Sequence, residues 1–352
     1  MAEHNPALTP ISQLGEFGLI KHLTSNIRIK NPETLLGPGD DAAILQPGPG
    51  KQLVVSSDLL VEGIHFDISY TPLTHLGYKA VTVNVSDMAA MNAVPKQITV
   101  SLAISSKYTV EAMEELYRGL LAACEHYGVD LVGGDTTASP SGLMISITAL
   151  GEADAATLTR RNTARQGDLI CVTGDLGGAF LGLNLLEREK RIFRESPEVQ
   201  PDFGDNDYLL QRQLKPEART DMKAIFEAIG VLPTSMIDVS DGLASELLHI
   251  CTQSKLGCKV YEDKLPIDPI ALRTAAEFNM DPNVAILNGG EDYELLFTIP
   301  QEDFAKVKGH PDITVIGHMT EENEGRMLIS RSGQAHELTA QGWQHFGAAP
   351  KG

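Results

Sequence analysis

Residues 97–132 read QITVSLAISSKYTVEAMEELYRGLLAACEHYGVDLV, and this stretch decides the fold class. In Gln97–Ile104 the apolar residues alternate with smaller or polar ones, the period of a half-buried strand. Val110–Tyr127 then repeats its apolar residues at helical spacing. Thr109 can cap that helix, Glu111, Glu114 and Glu115 suit its start, and Gly128 suits its end. Val129–Val132 is a second strand. Working outward, Gln52–Ser57 (QLVVSS) precedes as a strand. Leu76–Met91 (LGYKAVTVNVSDMAAM) has helical spacing despite several valines, and Leu143–Leu150 follows as a strand. The order β-α-β-α-β-β predicts an α+β layer with an amphipathic sheet.

Gly151–Gly167 is polar and contains arginines, as a junction would. Domains are therefore expected at 1–150 and 151–352. The second begins with the strand Asp168–Thr173, a Gly-rich turn, and a helix over about Ala179–Glu189. Ser196–Asp207, with two prolines and four acids, reads as an exposed loop. Helices are expected near Pro216–Ile229, Leu243–Ser254 and Pro269–Phe278. Strands are expected near Tyr293–Ile299, Ile313–Ile316 and Met327–Ser330.

Composition narrows the function classes. Of 352 residues 42% are hydrophobic and 21% charged, as in a globular protein of two ordinary domains. With 28 basic and 47 acidic residues the formal charge is −19, which argues against binding a nucleic-acid backbone. No apolar run approaches the roughly 20 residues that span a membrane. Met1–Pro10 lacks the basic and apolar regions of a signal peptide. Cys124, Cys171, Cys251 and Cys258 have no zinc-type spacing and fit reduced thiols, so a cytoplasmic location is expected.

Five segments share one design, an apolar run leading into a small-residue turn with aspartate. They are Gly37-Pro-Gly-Asp-Asp41, Ser56-Ser-Asp58, Asn84-Val-Ser-Asp87, Gly133-Gly-Asp135-Thr136 and Asp238-Val-Ser-Asp241-Gly242. Each alone reads as a turn or a cap, and Asp238 can simply cap the helix near Leu243. Their recurrence points to chemistry. Magnesium takes oxygen ligands, usually one or two carboxylates with water and substrate phosphate. Several carboxylates brought together with such ions make a phosphate clamp.

Other nucleotide motifs fail. Gly37-Pro-Gly39-Asp-Asp-Ala42 fits the loose dinucleotide pattern, with Asp58 near the place of a ribose acid. Gln46-Pro-Gly-Pro-Gly50 breaks the chain where the helix of that motif should run. No Walker loop is present. Gly174-Asp-Leu-Gly177-Gly178, between strand and helix, offers either an anion site or close packing. Arg161 is a candidate phosphate contact. Glu291, in Gly289-Gly-Glu-Asp-Tyr293, either meets a substrate or lies in a hairpin turn. Trp343, the sole tryptophan, is either a core anchor or a stacking surface for a flat or cationic ligand. His65 follows Gly63 and is either structural or a substrate contact.

Together these segments resemble the thiamine-monophosphate kinase family. The matching stretches are Gly15-Glu-Phe-Gly-Leu-Ile20, Gly39-Asp-Asp-Ala42, Ser57-Asp-Leu-Leu-Val-Glu-Gly-Ile-His-Phe66, Asn84-Val-Ser-Asp-Met-Ala-Ala-Met91, Gly133-Gly-Asp-Thr-Thr137, Asp238-Val-Ser-Asp-Gly-Leu243 and Gly289-Gly-Glu-Asp-Tyr-Glu-Leu295. They run in order over nearly the whole chain. Single motifs are shared with aminoimidazole ribonucleotide synthetases and selenophosphate synthetases. The latter carry a reactive cysteine or selenocysteine near the N-terminus, whereas the first cysteine here is Cys124.

The resemblance implies a two-domain α+β fold like that of aminoimidazole ribonucleotide synthetase. Its N-terminal α/β domain would bind ATP and magnesium and pair with its copy in a homodimer sheet or barrel; its C-terminal domain would be α+β. The implied reaction moves the γ-phosphate of ATP directly, in line, to thiamine monophosphate, giving thiamine diphosphate. The resemblance assigns magnesium to Asp41 (with Asp40 beside it), Ser56, Ser57, Asp58, Asp87, Asp135, Asp238 and Asp241. ATP would meet Tyr117, Gly134, Asp135, Arg161 and Ser240. Thiamine monophosphate would meet His65, Glu291 and Trp343. No residue is expected to act as a catalytic base, because the nucleophile is a phosphate oxygen already anionic at neutral pH.

Overall fold

The stretch at 97–132 folds as its spacing requires. In this computed structural model, which describes residues 8–38 and 43–342 apart from the side chains of Glu16 and Phe17, the chain forms two compact units. Unit 1 holds residues 1–88 and 92–156, and unit 2 holds 89–91 and 157–352. Asp40, Asp41 and Trp343 lie outside the described residues.

Unit 1 runs α1 (Gly15–Thr24), β1 (Thr34–Leu36), β2 (Ile44–Leu45), β3 (Lys51–Val61), α2 (Leu73–Ala90), β4 (Val94–Ser105), α3 (Val110–Tyr127), β5 (Asp130–Ser139) and β6 (Met144–Asp154). From β3 onward the order is the expected β-α-β-α-β-β. The Thr109 hydroxyl accepts the Ala112 N–H, 3.3 Å away, at the start of α3. Gly128 closes the helix in the left-handed region, φ 66°. The sheet order is β3-β6-β4-β5, antiparallel except for the parallel pair β4–β5. Ile98, Val100, Leu102 and Ile104 of β4 are buried, as are Ile145, Ile147 and Ala149 of β6. Helices α2 and α3 touch backbone to backbone. A Cβ on Gly77 would overlap the Leu116 carbonyl, and one on Gly119 the Thr74 carbonyl. The opposite face of β3 leaves Leu53, Val55 and Leu59 about half exposed.

Unit 2 runs β7 (Leu169–Thr173), α4 (Gly178–Glu195), α5 (Asp207–Leu214), α6 (Met222–Ile229), β8 (Ser235–Asp238), α7 (Leu243–Ser254), β9 (Gly257–Tyr261), α8 (Pro269–Glu277), α9 (Pro282–Asn288), β10 (Leu295–Ile299), α10 (Phe304–Val307), β11 (Ile313–Thr320), β12 (Arg326–Ile329) and β13 (Ala335–Glu337). Its sheet has the order β13-β12-β9-β11-β7-β10-β8. The central strands read as nearly unbroken apolar runs because both faces are covered. Ile170, Val172, Ile237 and Leu296 pack with Leu243, Leu247 and Ile250 of α7. Their neighbours Cys171, Met236, Leu295 and Phe297 pack with Met222 and Phe226 of α6. Burying each such side chain contributes about 1.5–3 kcal/mol. A third cluster joins Leu181 and Leu185 of α4 to Leu209 of α5, Ala271 of α8 and Ala285 of α9.

Several elements differ from expectation. The helix expected at Pro216–Ile229 starts only at Met222. The turn before it carries Arg219 to the buried carboxylate of Glu294, 3.1 Å away. Helix α5 was not foreseen. The strand expected from Tyr293 begins at Leu295, because Tyr293 takes left-handed backbone, φ 53°. All four cysteines are buried free thiols. Among the described residues no helix is long and apolar enough to cross a membrane.

Candidate active site

The site in unit 1 follows from the two-residue period of a strand. In β3, Ser56 pairs with Ala149 and Asp58 with Ile147, both on the face turned to the helices. Helix α2 supplies Asn84 and Asp87, three residues apart and so on one side of it. The Asp58 N–H donates to Asn84 Oδ1 at 3.1 Å, and Asn84 Nδ2 donates to the Ala80 carbonyl at 3.0 Å. The Ser56 hydroxyl donates to the Asp87 carboxylate. Burial, then the negative charge of Asp87, push the Asp58 carboxyl up to about 6. Asp58, the Asp87 carboxylate that opposes its ionisation and the Ser56 hydroxyl form an all-oxygen set. That set fits magnesium. Among the described residues no three His, Cys, Asp or Glu side chains gather into a metal cluster.

These aspartates do not lie on the turns expected from the sequence. Asp58 lies inside β3, Asp87 inside α2 and Asp135 inside β5. Pleat and helix spacing present the carboxylates, and β3 continues because Leu59, Leu60 and Val61 pair with β6. The same period separates two predicted ligands from Ser56 and Asp58. Asp135 pairs with Ser101, which pairs with Ser146, which pairs with Leu59, in the open-face row that also holds Ser57. Ser57 and Asp135 are thus across the sheet from Ser56 and Asp58. Ser57 Oγ meets the Ile147 carbonyl at 3.1 Å and Thr148 Oγ1 at 3.0 Å. Asp135 Oδ1 accepts the Thr136 N–H at 2.9 Å. A Cβ on Gly134 would overlap the Val100 carbonyl, so close strand packing alone requires glycine there.

Tyr117, expected to reach the nucleotide, lies on the buried side of α3 and is 8% exposed. Burial pushes its phenol up to about 12. Within this chain it is a core residue. His65 is half-buried, and its Nδ1 accepts the Val61 N–H at 3.0 Å, which places a neutral ring's proton on Nε2.

In unit 2, Asp238 ends β8 opposite Leu295 and is 4% exposed. It does not cap α7, whose N-cap is Gly242 without a side-chain bond. Glu246 reaches back instead. Its Oε1 accepts the Asp241 N–H at 2.8 Å and the Ser240 hydroxyl at 3.4 Å. Burial pushes the Glu246 carboxyl up to about 7. The Asp241 N–H and the Arg161 charge oppose that rise, and the Asp241 charge adds to it. Ser240, Asp241 and Glu246 therefore form one hydrogen-bonded group, with the Arg161 charge near enough to act on Glu246. The Arg161 carbonyl is tied to Ser254 Oγ at 3.2 Å.

The Gly174–Gly178 turn does not wait for an outside anion. The buried carboxylate of Asp292 already takes the Gly177 N–H at 2.7 Å and the Ala179 N–H at 3.3 Å. Glu291 stands in left-handed backbone, φ 67°, with its N–H on the Ser240 carbonyl at 2.7 Å. Its Oε2 accepts from Gln213 Nε2 at 2.6 Å. Sequence reasoning missed Glu246, Arg212 and Gln213, and named Asn84 only as part of the Asn84–Asp87 segment. The only signal was the run of acids Glu291, Asp292 and Glu294, which asks for partners.

Residues 39–153 match the family "AIR synthase related protein, N-terminal domain", and residues 165–330 match "AIR synthase related protein, C-terminal domain". The thiamine-monophosphate kinase of Bacillus subtilis is 33% identical over 343 residues, 95% of this chain and 100% of that one. The crystal structure of thiamine-monophosphate kinase from Stenotrophomonas maltophilia superposes with a TM-score of 0.74 at 31% identity, covering 90% of this chain and 95% of that one. AaThiL complexed with AMPPCP and TMP superposes with a TM-score of 0.73, also at 31% identity, over 98% of this chain and 100% of that one. With matches of this length to both domains and to complete relatives, the chain belongs to the thiamine-monophosphate kinase family, within the AIR synthase related proteins.

Proposed function

We propose that this chain phosphorylates thiamine monophosphate to thiamine diphosphate, with ATP as donor and magnesium as the metal, by direct in-line transfer. The observation that carries the reading is the Ser56–Asp58–Asp87 group, in a chain alike over nearly its whole length to thiamine-monophosphate kinases. The AMPPCP and TMP bound by AaThiL support ATP and thiamine monophosphate as the two substrates.

Magnesium, when bound, supplies the positive charge that lets two phosphate anions approach. Asp58, Asp87 and Ser56 would hold it in unit 1, and Asp238 and Asp241 in unit 2. Ser57 and Asp135, on the other face of the sheet, keep their places as candidates from the family resemblance alone. Asp41 keeps its place as a candidate from the family resemblance. Arg161 and Ser240 would bind nucleotide phosphate, with Glu246 holding the Ser240–Asp241 turn in shape. Glu291, His65 and Trp343 would meet thiamine monophosphate. No residue needs to take a proton from the nucleophile, a phosphate oxygen that is already ionised.

The apolar open face of β3 supports pairing with a second copy. Leu53, Val55 and Leu59 are 49%, 57% and 52% exposed in one row. Purified protein given ATP, magnesium and thiamine monophosphate is expected to form thiamine diphosphate and ADP. Failure to form either product would remove the reading.

A further inference from the structure

Helix α5 grips the acidic segment that follows α9. Arg212 Nη1 donates to Glu294 at 2.8 Å and Nη2 to Asp292 at 3.3 Å. The next residue, Gln213, donates from Nε2 to Glu291 at 2.6 Å. One turn earlier, the Tyr208 hydroxyl is bonded to the Asp175 carboxylate at 2.7 Å. The helix is held against α4, where a Cβ on Gly182 would overlap the Leu209 carbonyl. Gln213 is only 6% exposed, so its amide has little freedom to turn.

Glu291 needs such a hold. Its backbone is left-handed, φ 67°, and Tyr293 two residues on is left-handed as well, φ 53°. Left-handed backbone at a residue with a side chain is strained and persists only where the surroundings hold it. Gln213 supplies an N–H without supplying a charge. A lysine or arginine there would orient Glu291 but cancel its charge. An amide orients it and leaves the carboxylate able to attract a cationic ring such as that of thiamine monophosphate.

We propose that Gln213 is a positioning residue for substrate recognition, fixing the Glu291 carboxylate where it meets the cationic part of thiamine monophosphate. The inference rests on the reading of Glu291 as a substrate contact.

The test compares Gln213→Met, Glu291→Gln and the double variant in the full-length protein. KM for thiamine monophosphate and for ATP, kcat and thermal midpoint are measured for each. Gln213→Met keeps length and loses the donor. It is expected to raise KM for thiamine monophosphate about tenfold, the effect of one hydrogen bond to a charged group, while KM for ATP stays put. In the Glu291→Gln background it is expected to add nothing. An unchanged KM for thiamine monophosphate, an equal rise in both KM values, or additivity in the double variant would overturn the proposal. Wild-type protein that forms no thiamine diphosphate would instead count against the kinase reading. A Glu291→Gln variant with normal KM would overturn both the Glu291 assignment and the proposal. If Gln213→Met does not fold, Gln213→Asn, whose amide stops short of Glu291, serves the same comparison.

Discussion

Arg212 and Glu294 are joined by a 2.8 Å hydrogen bond inside unit 2, their side chains 16% and 4% exposed. Arg219 takes the other oxygen of Glu294 at 3.1 Å, and Thr173 Oγ1 donates to that same oxygen at 2.6 Å. Arg212 also holds Asp292, which caps α4. One guanidinium thus ties the segment just before β10 to the start of a helix far away in sequence.

Losing that guanidinium leaves two buried carboxylates short of a partner. Arg212→Met is expected to cost about 3–5 kcal/mol, the usual effect of breaking a buried ion pair from one side. Urea unfolding at neutral pH measures it. A loss under about 1 kcal/mol, the range of an exposed pair, would show that the network adds little.

Asp292 carries a pH signature. Burial pushes its carboxyl up to about 6, against the pull of Arg212 and of the Gly177 and Ala179 N–H groups. The folded protein therefore keeps this proton to higher pH than the unfolded chain, whose value is 3.8. Between those values the folded state binds more protons, so stability falls as pH rises. The contribution is fully present below 3.8 and is lost as pH passes about 6. Asp292→Asn does not titrate. The stability of wild type relative to Asp292→Asn is expected to drop from pH 4 to pH 7, as read from urea midpoints. A difference that stays level or grows would contradict the shift.

Helices α3 and α7 occupy the ranges expected from sequence, Val110–Tyr127 and Leu243–Ser254. Their signals are local: a Thr109 cap, a Gly128 stop, an apolar stripe. The candidate site was legible as residue types but not as geometry. Asp58, Asp87 and Asp135 sit inside regular elements, and the strand period puts Asp135 across the sheet from Asp58. That depends on a bulge and on register, which short motifs do not encode. Asp292 and Gly177 are 115 residues apart, so nothing local marks Asp292 as the cap of α4. The Gly174–Gly178 turn, open from sequence to either an anion site or close packing, takes an anion from the protein's own Asp292.

Asp87→Asn removes one of the two opposed charges in unit 1 but keeps the shape. Turnover is expected to fall at least about 100-fold, in the range of one lost electrostatic stabiliser, with the thermal midpoint kept or raised. Steady-state kinetics over a magnesium titration reads this. Near-normal turnover at ordinary magnesium would remove Asp87 from the metal set.

The open face of β3 makes a prediction about assembly. Val55→Lys puts a charge in the middle of the exposed apolar row. Wild type is expected to run as a dimer in sedimentation velocity and Val55→Lys to shift toward monomer. A wild-type monomer, or a variant that stays dimeric, would count against this face as the contact.

The central claim is transfer of the γ-phosphate of ATP to thiamine monophosphate, and labelled donor tests it most directly. With γ-labelled ATP, magnesium and thiamine monophosphate, the label is predicted to appear in the terminal phosphate of thiamine diphosphate, one for each ADP formed. Label recovered only as inorganic phosphate, with thiamine monophosphate unchanged, would contradict the account.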